Sequence, residues 1–123
     1  MKTSMAVAVI LGVCPIFAGL AVAQDPVKMA PRMNKVVLDN EKVRVLDVTL
    51  KTGEQMPMHQ HPDNILYVIK GGKTKAVSMQ GVPTEREFKD GECTFRTAET
   101  HAIQNTDTHD IHVINVELKE PKK

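Results

Sequence analysis

From Gly53 onward, turn-forming residues interrupt the chain roughly every eight to twelve residues, and no apolar pattern at helical spacing persists for three turns between them. This spacing constrains the fold more than any other feature, because segments so short can bury an apolar face only as strands. Val43, Val45 and Asp47 alternate with Arg44, Leu46 and Val48 in a stretch rich in β-branched residues that ends near Lys51-Thr52-Gly53. Residues 65–69 form a short apolar run stopped by Gly71-Gly72, and residues 73–79 resume before Gly81 and Pro83. Residues 85–89 lead to the turn Asp90-Gly91, residues 93–96 follow, and residues 111–118 make the last strand. The expected class is all-β, a sandwich or barrel.

The first 23 residues read as an address rather than part of that fold. Lys2 gives a positive start, no charge falls between residues 5 and 23, and Ala21-Val22-Ala23 offers small residues before the polar Gln24-Asp25-Pro26. An uncleaved anchor is the alternative, but Gly12, Pro15 and Gly19 interrupt the apolar run. A lipoprotein signal at Leu11-Gly12-Val13-Cys14 is disfavoured by the bulk of Val13. The expectation is a cleavable signal peptide over residues 1–23, a periplasmic or secreted protein, and no stable membrane insertion after cleavage. Residues 24–34 hold Pro26 and Pro31 without apolar periodicity and read as an N-terminal arm, leaving residues 35–123 as one domain. The mature chain then holds a single cysteine, Cys93, so no internal disulfide forms.

Charge narrows the function classes. Lysine plus arginine number 16 against 15 for aspartate plus glutamate, and removing Lys2 leaves 15 against 15. A neutral chain lacks the basic excess that nucleic-acid binding requires. With no Trp, one Tyr and three Phe, stacking platforms for flat aromatic ligands are not expected either.

All five histidines, His59, His61, His101, His109 and His112, lie beyond the export segment. On a strand, positions i and i+2 share a face, so His59 and His61 can present two imidazole nitrogens to one point. Neutral imidazole ligates most transition metals, but a satisfied structural pair reads equally well at this level.

The surrounding spacing is more specific. Gly53 stands ahead of His59-x-His61, Asn64 and Tyr67-Val68-Ile69-x-Gly71 follow, and later Gly91 precedes His101-x3-Asn105. This pattern resembles the two motifs of the cupin superfamily, and the stretch His61-Pro62-Asp63 is similar to small single-domain members. The resemblance implies a double-stranded β-helix, or jelly-roll barrel, holding one divalent transition metal (Fe, Mn, Zn, Ni or Cu) through His59, His61 and His101. Asn64 stands where the family's glutamate ligand is expected. An amide oxygen is a poorer ligand than a carboxylate, so the fourth protein contact is Asn64, the adjacent Asp63, or absent. The loop before His101, Thr97-Ala98-Glu99, also departs from the family's Pro-x-Gly.

Three neutral ligands leave the ion its full charge, and its open positions suit water, dioxygen or an anionic small molecule. The resemblance extends to the three-histidine thiol dioxygenases of the superfamily and so implies a metal-dependent, dioxygenase-like oxidoreductase acting on a small-molecule substrate, while hydrolytic or isomerase chemistry fits the ligands equally well. A non-catalytic module binding a small molecule or metal is the alternative. Tyr67 and Asn105 are substrate-binding or ligand-orienting candidates, with a core ring as the plainer reading of Tyr67.

Met56 and Met58 suggest copper, yet strand parity sets them opposite the histidines as apolar filler. Cys93 shares parity with Phe95 and reads as a small buried residue, with a soft ligand or redox thiol as the alternative. His109 and His112 read as loop histidines, His112 sharing a face with Ile114, Val116 and Leu118 that reaches the interior. Glu117, on the alternate face, reads as solvent-exposed. An open sandwich leaves edge strands that a second copy would cover, so a homodimer is an expectation that no single residue fixes.

Overall fold

Strand β9 (Ile111–Leu118) carries the most regular alternation in the chain and occupies the centre of the larger sheet. It pairs antiparallel with β2 (Val43–Leu50) on one side and β4 (Asn64–Lys70) on the other. These contacts come from a computed structural model that describes residues 24–121. The export segment expected over residues 1–23 lies outside the described residues. Edge strands β1 (Asn34–Asp39) and β7 (Cys93–Arg96) complete a five-stranded sheet in the order β1-β2-β9-β4-β7. A four-stranded sheet runs β3-β8-β5-β6, built from β3 (Gln55–His61), β5 (Gly72–Ser78), β6 (Pro83–Phe88) and β8 (Glu99–Asn105).

The core forms where the two inner faces meet. Leu46, Val48 and Leu50 of β2, Leu66 and Val68 of β4, and Ile111 and Val113 of β9 pack with Met56 and Phe88 from the other sheet. The all-β expectation is borne out. The polar strand β8 and the edge strand β1 were not among the runs that the sequence marked, because neither buries a continuous apolar face.

Backbone geometry fixes two glycines. Gly53, with φ of 77°, turns β2 into β3 in a conformation that L side chains rarely adopt. At Gly71 a Cβ would lie 1.9 Å from the Phe88 carbonyl oxygen, so only glycine lets the two backbones approach.

Residues 24–34 are docked on the barrel rather than leading loosely into it. A helical turn, α1 (Pro26–Met29), is capped by the Asp25 carboxylate, which accepts from the Val27 N–H at 2.8 Å. The Gln60 N–H donates to the Gln24 carbonyl at 3.0 Å, tying the segment to β3.

Parity on β9 corrects two expectations. Ile111, Val113, Asn115 and Glu117 face inward, whereas His112, Ile114, Val116 and Leu118 face outward. Both faces of this strand carry apolar residues, and the outer set is half-covered by its cross-strand neighbours. His112 accordingly sits on the outer face, its Nε2 2.6 Å from Asp47 Oδ1. Cys93 is exposed, not buried, on the outward face it shares with Phe95. That outer face carries an aligned row, Leu38, Val45, Val116, Ile65 and Phe95, spanning all five strands.

Candidate metal centre

His59 and His61 leave the last turn of β3 toward the interior, and His101 reaches the same point from β8, directly opposite His59 in the register. All three are buried. A bulge between Met56 and His59 precedes the pair, at Pro57, which has no N–H to give a ladder. The extra residue changes parity, so Met56 is buried in the core on the same side as the histidines, contrary to the alternation expected from sequence. Met58 is half-buried.

Hydrogen bonds fix two tautomers. His59 Nδ1 lies 2.8 Å from the Pro57 carbonyl and His61 Nδ1 lies 2.9 Å from Glu117 Oε1. Both partners accept, so both Nδ1 atoms carry a proton and both Nε2 atoms are turned toward the cluster. These Nε2 atoms are 3.0 Å apart, and His101 Nε2 is 3.1 Å from His59 Nε2. Burial pushes His59 down to about 4 and His101 down to about 3, the neighbouring imidazoles adding to the effect. At neutral pH both rings are therefore uncharged, and His59 Nε2 offers its lone pair at the point where the other two imidazoles converge. Nitrogens that share one ion at the usual metal–imidazole distance of about 2.0–2.1 Å can stand about 3 Å apart, so the donor set fits a metal.

Glu117 was missed by the sequence reading. It is buried, and its second oxygen accepts from Arg44 Nε at 2.7 Å, while Arg44 Nη1 donates to Asp25 Oδ2 at 2.6 Å. The chain His61–Glu117–Arg44–Asp25 thus runs from the cluster to the cap of α1. Burial opposes the charge on Asp25, but hydrogen bonds from Arg44 and the Val27 N–H outweigh it and hold the carboxyl below its ordinary value. The available signal was the polar pair Asn115 and Glu117 continuing the inward face of Ile111 and Val113.

Asp63 and Asn64 are not brought to the imidazoles. Asp63 is exposed and its Oδ1 accepts from the Ala98 N–H at 2.8 Å, closing the turn before β8. Asn64 is buried, but its Nδ2 donates to the Pro62 carbonyl at 2.8 Å and its Oδ1 accepts from Asn115 Nδ2 at 3.1 Å. Among the described residues, the cluster of metal-ligating side chains is His59, His61 and His101.

Tyr67 and Asn105 do not face the cluster. Tyr67 points outward from β4 and is 46% exposed, since it lies an odd number of residues from the inward Asn64. Asn105 is buried as a brace, donating to the Leu50 and His109 carbonyls at 2.9 and 2.8 Å. His109 sits in the loop before β9, with Nε2 2.9 Å from the Gly71 carbonyl.

A cavity of about 50 Å³ adjoins the three histidines between the sheets. Its walls are mainly apolar, among them Val48, Leu66, Phe88 and Ile103, with Asn34, Asn115, Thr74 and Arg96 as polar members.

No protein-family model and no curated protein matches the sequence. Solved structures do match. A cupin domain from Bordetella pertussis Tohama I aligns at 20% identity over 71% of this chain and 92% of its own, with a TM-score of 0.66. An RmlC-like cupin family protein with a double-stranded β-helix fold from Methanocaldococcus jannaschii aligns at 23% identity over 72% and 80%, with a TM-score of 0.58. A Bacillus halodurans protein covers 92% of this chain and 87% of its own at 15% identity and a TM-score of 0.59. At such identities the likeness speaks to architecture, which agrees with the two sheets and the inward histidines: the chain has the double-stranded β-helix fold of a small cupin domain.

Proposed function

We propose that this is an exported cupin that holds one divalent transition metal through the Nε2 atoms of His59, His61 and His101 and acts as an oxidoreductase on a small molecule. The observation that carries the reading is the 3.0 Å approach of two Nε2 atoms whose Nδ1 protons are already committed elsewhere. A redox-active ion would supply electron transfer to dioxygen there, and any divalent ion would supply Lewis acidity. The chain itself contributes the rest. Pro57 and Glu117 hold two rings in the ligating tautomer, and apolar walls limit water beside them. Export rests on residues 1–23, and the small-molecule substrate on the cavity beside the histidines. The aligned apolar row on the outer sheet face supports association of two copies.

A second reading, a binding module without turnover, is favoured by one feature: Asn64 stands in place of a carboxylate ligand and is spent on Pro62 and Asn115. Metal content of the purified mature protein, then oxygen uptake with a panel of small thiols and phenols, separates the two. One metal per chain with uptake that vanishes in His61→Ala supports the enzyme. One metal with no uptake supports the module, and no metal under any loading condition overturns both.

A further inference from the structure

We propose that the cavity takes a small molecule whose inner end is uncharged and carries an O–H or N–H donor, anchored on the side-chain oxygen of Asn115. This deepens the reading of the cavity as a substrate site, although its hydrogen-bond argument does not need the ion.

Asn115 faces inward from β9, two residues before the Glu117 that holds His61. Successive inward positions lie roughly 7 Å apart, so the amide stands one pleat away from the support of a ligand histidine. Only 4% of the residue is exposed. Its orientation is fixed by the relay Asn115 Nδ2 to Asn64 Oδ1, and Asn64 Nδ2 to the Pro62 carbonyl. Turning the Asn115 amide over would set two oxygens against each other. Its Oδ1 is left buried with no hydrogen-bond partner among the described residues. Native folds rarely leave such an acceptor unmatched.

Asn34 repeats the pattern at the arm. Its Nδ2 donates to the Pro26 and Ala30 carbonyls, and its buried Oδ1 has no partner among the described residues. Both residues line the same cavity. Thr74 Oγ1 donates to the Arg86 carbonyl at 3.0 Å, and Arg96 is paired with Glu99 at 2.7 Å. A carboxylate or phosphate placed against Asn115 Oδ1 would set acceptor against acceptor, whereas an ammonium would meet the like charge of Arg96 and no carboxylate among the lining residues. An uncharged donor matches. About 50 Å³ holds about three to five water-sized groups, which suits a short-chain alcohol or primary amide.

The isomers 1-butanol and diethyl ether differ in having a donor or lacking one at equal composition. Each is titrated into metal-free and zinc-loaded protein while the Asn115 side-chain amide resonances are followed by NMR. The expected result is saturable binding of 1-butanol at least fivefold tighter than the ether, with the preference lost in Asn115→Leu. Equal affinity for the isomers, binding of neither up to solubility, or an undiminished preference in Asn115→Leu overturns the proposal. If the variant does not fold, the wild-type comparison of isomers still decides. Failure to bind zinc with the preference intact sinks the metal reading alone, and loss of the preference with zinc bound sinks this one alone.

Discussion

His61 and Glu117 meet across the barrel interior, Nδ1 to Oε1 at 2.9 Å, although one belongs to the four-stranded sheet and the other to the five-stranded sheet. The contact joins the nitrogen of His61 that faces away from the cluster to a buried carboxylate that Arg44 holds from the far side. A carboxylate behind a ligand histidine fixes its tautomer and raises its basicity, and removing such support commonly weakens metal binding about 10–100-fold. Glu117→Gln keeps an acceptor near His61 but loses the charge facing Arg44. Its zinc affinity, measured by competition with a chromogenic chelator, is expected to fall within that range. Glu117→Ala leaves Arg44 without its buried partner and is expected to lose about 3–5 kcal/mol of folding stability by urea denaturation. Unchanged zinc affinity in the Gln variant would show that the contact does not orient the ligand.

The same cluster makes metal-free stability depend on pH. Folded values of about 4 for His59 and about 3 for His101 lie below the unfolded value near 6.5, so between these limits the unfolded chain binds more protons. Stability from these groups is fully present above about pH 6.5 and is lost as the pH falls through about 4 and 3. Urea midpoints of metal-free protein are expected to decline over that window. The decline should be smaller in His101→Gln, which cannot titrate. A flat profile in the wild type would contradict the buried, uncharged state of both rings.

How far the sequence reaches is visible in individual residues. His59, His61 and His101 were legible as a group because their spacing, together with Gly53 and Gly91, forms a motif that the His-x-His pair alone does not. Turns at Gly53 and Gly71 were legible because backbone geometry demands glycine there. Glu117 was not, because β9 has apolar residues on both faces and alternation alone does not say which is inner. Met56 was hidden by the bulge at Pro57, which breaks the two-residue period. Tyr67 and Cys93 have apolar character but face outward, where the outer sheet surface, not the core, receives them.

That outer surface yields a prediction of its own. Leu38, Val45, Val116, Ile65 and Phe95 align across five strands, and Leu38 and Phe95 are 48% and 61% exposed. Five strands of four to eight residues about 4.8 Å apart give a face of roughly 550 Å² in projection, below the ~800 Å² per partner of a standard interface and in the range of a weak dimer. A second copy related by a two-fold axis would set row against row. Sedimentation velocity at micromolar concentrations is expected to show a dimer. Val116→Asp, at the middle of the row, is expected to give a monomer with an unchanged circular dichroism spectrum. A wild-type monomer would assign the row to another partner.

Metal binding should also register as stability, because the ligands converge only in the folded chain. An ion that binds the native state alone stabilises it by about 2.7 kcal/mol when its free concentration is 100 times the Kd. For a domain of this size that corresponds to a rise in Tm of roughly 10–20 °C, since about 1 kcal/mol shifts the midpoint of a 60–100-residue domain by about 4–8 °C. Zinc, cobalt or nickel added to chelator-stripped protein is therefore expected to raise Tm in a concentration-dependent way, and a chelator should reverse it. His59→Ala, His61→Ala and His101→Ala should each reduce the rise to less than half, while His109→Ala, whose ring bonds the Gly71 carbonyl in the loop before β9, should leave it intact. An equal rise in all four variants would place the ion elsewhere on the surface, and no rise in the wild type would leave the close approach of the His59 and His61 Nε2 atoms without its cation.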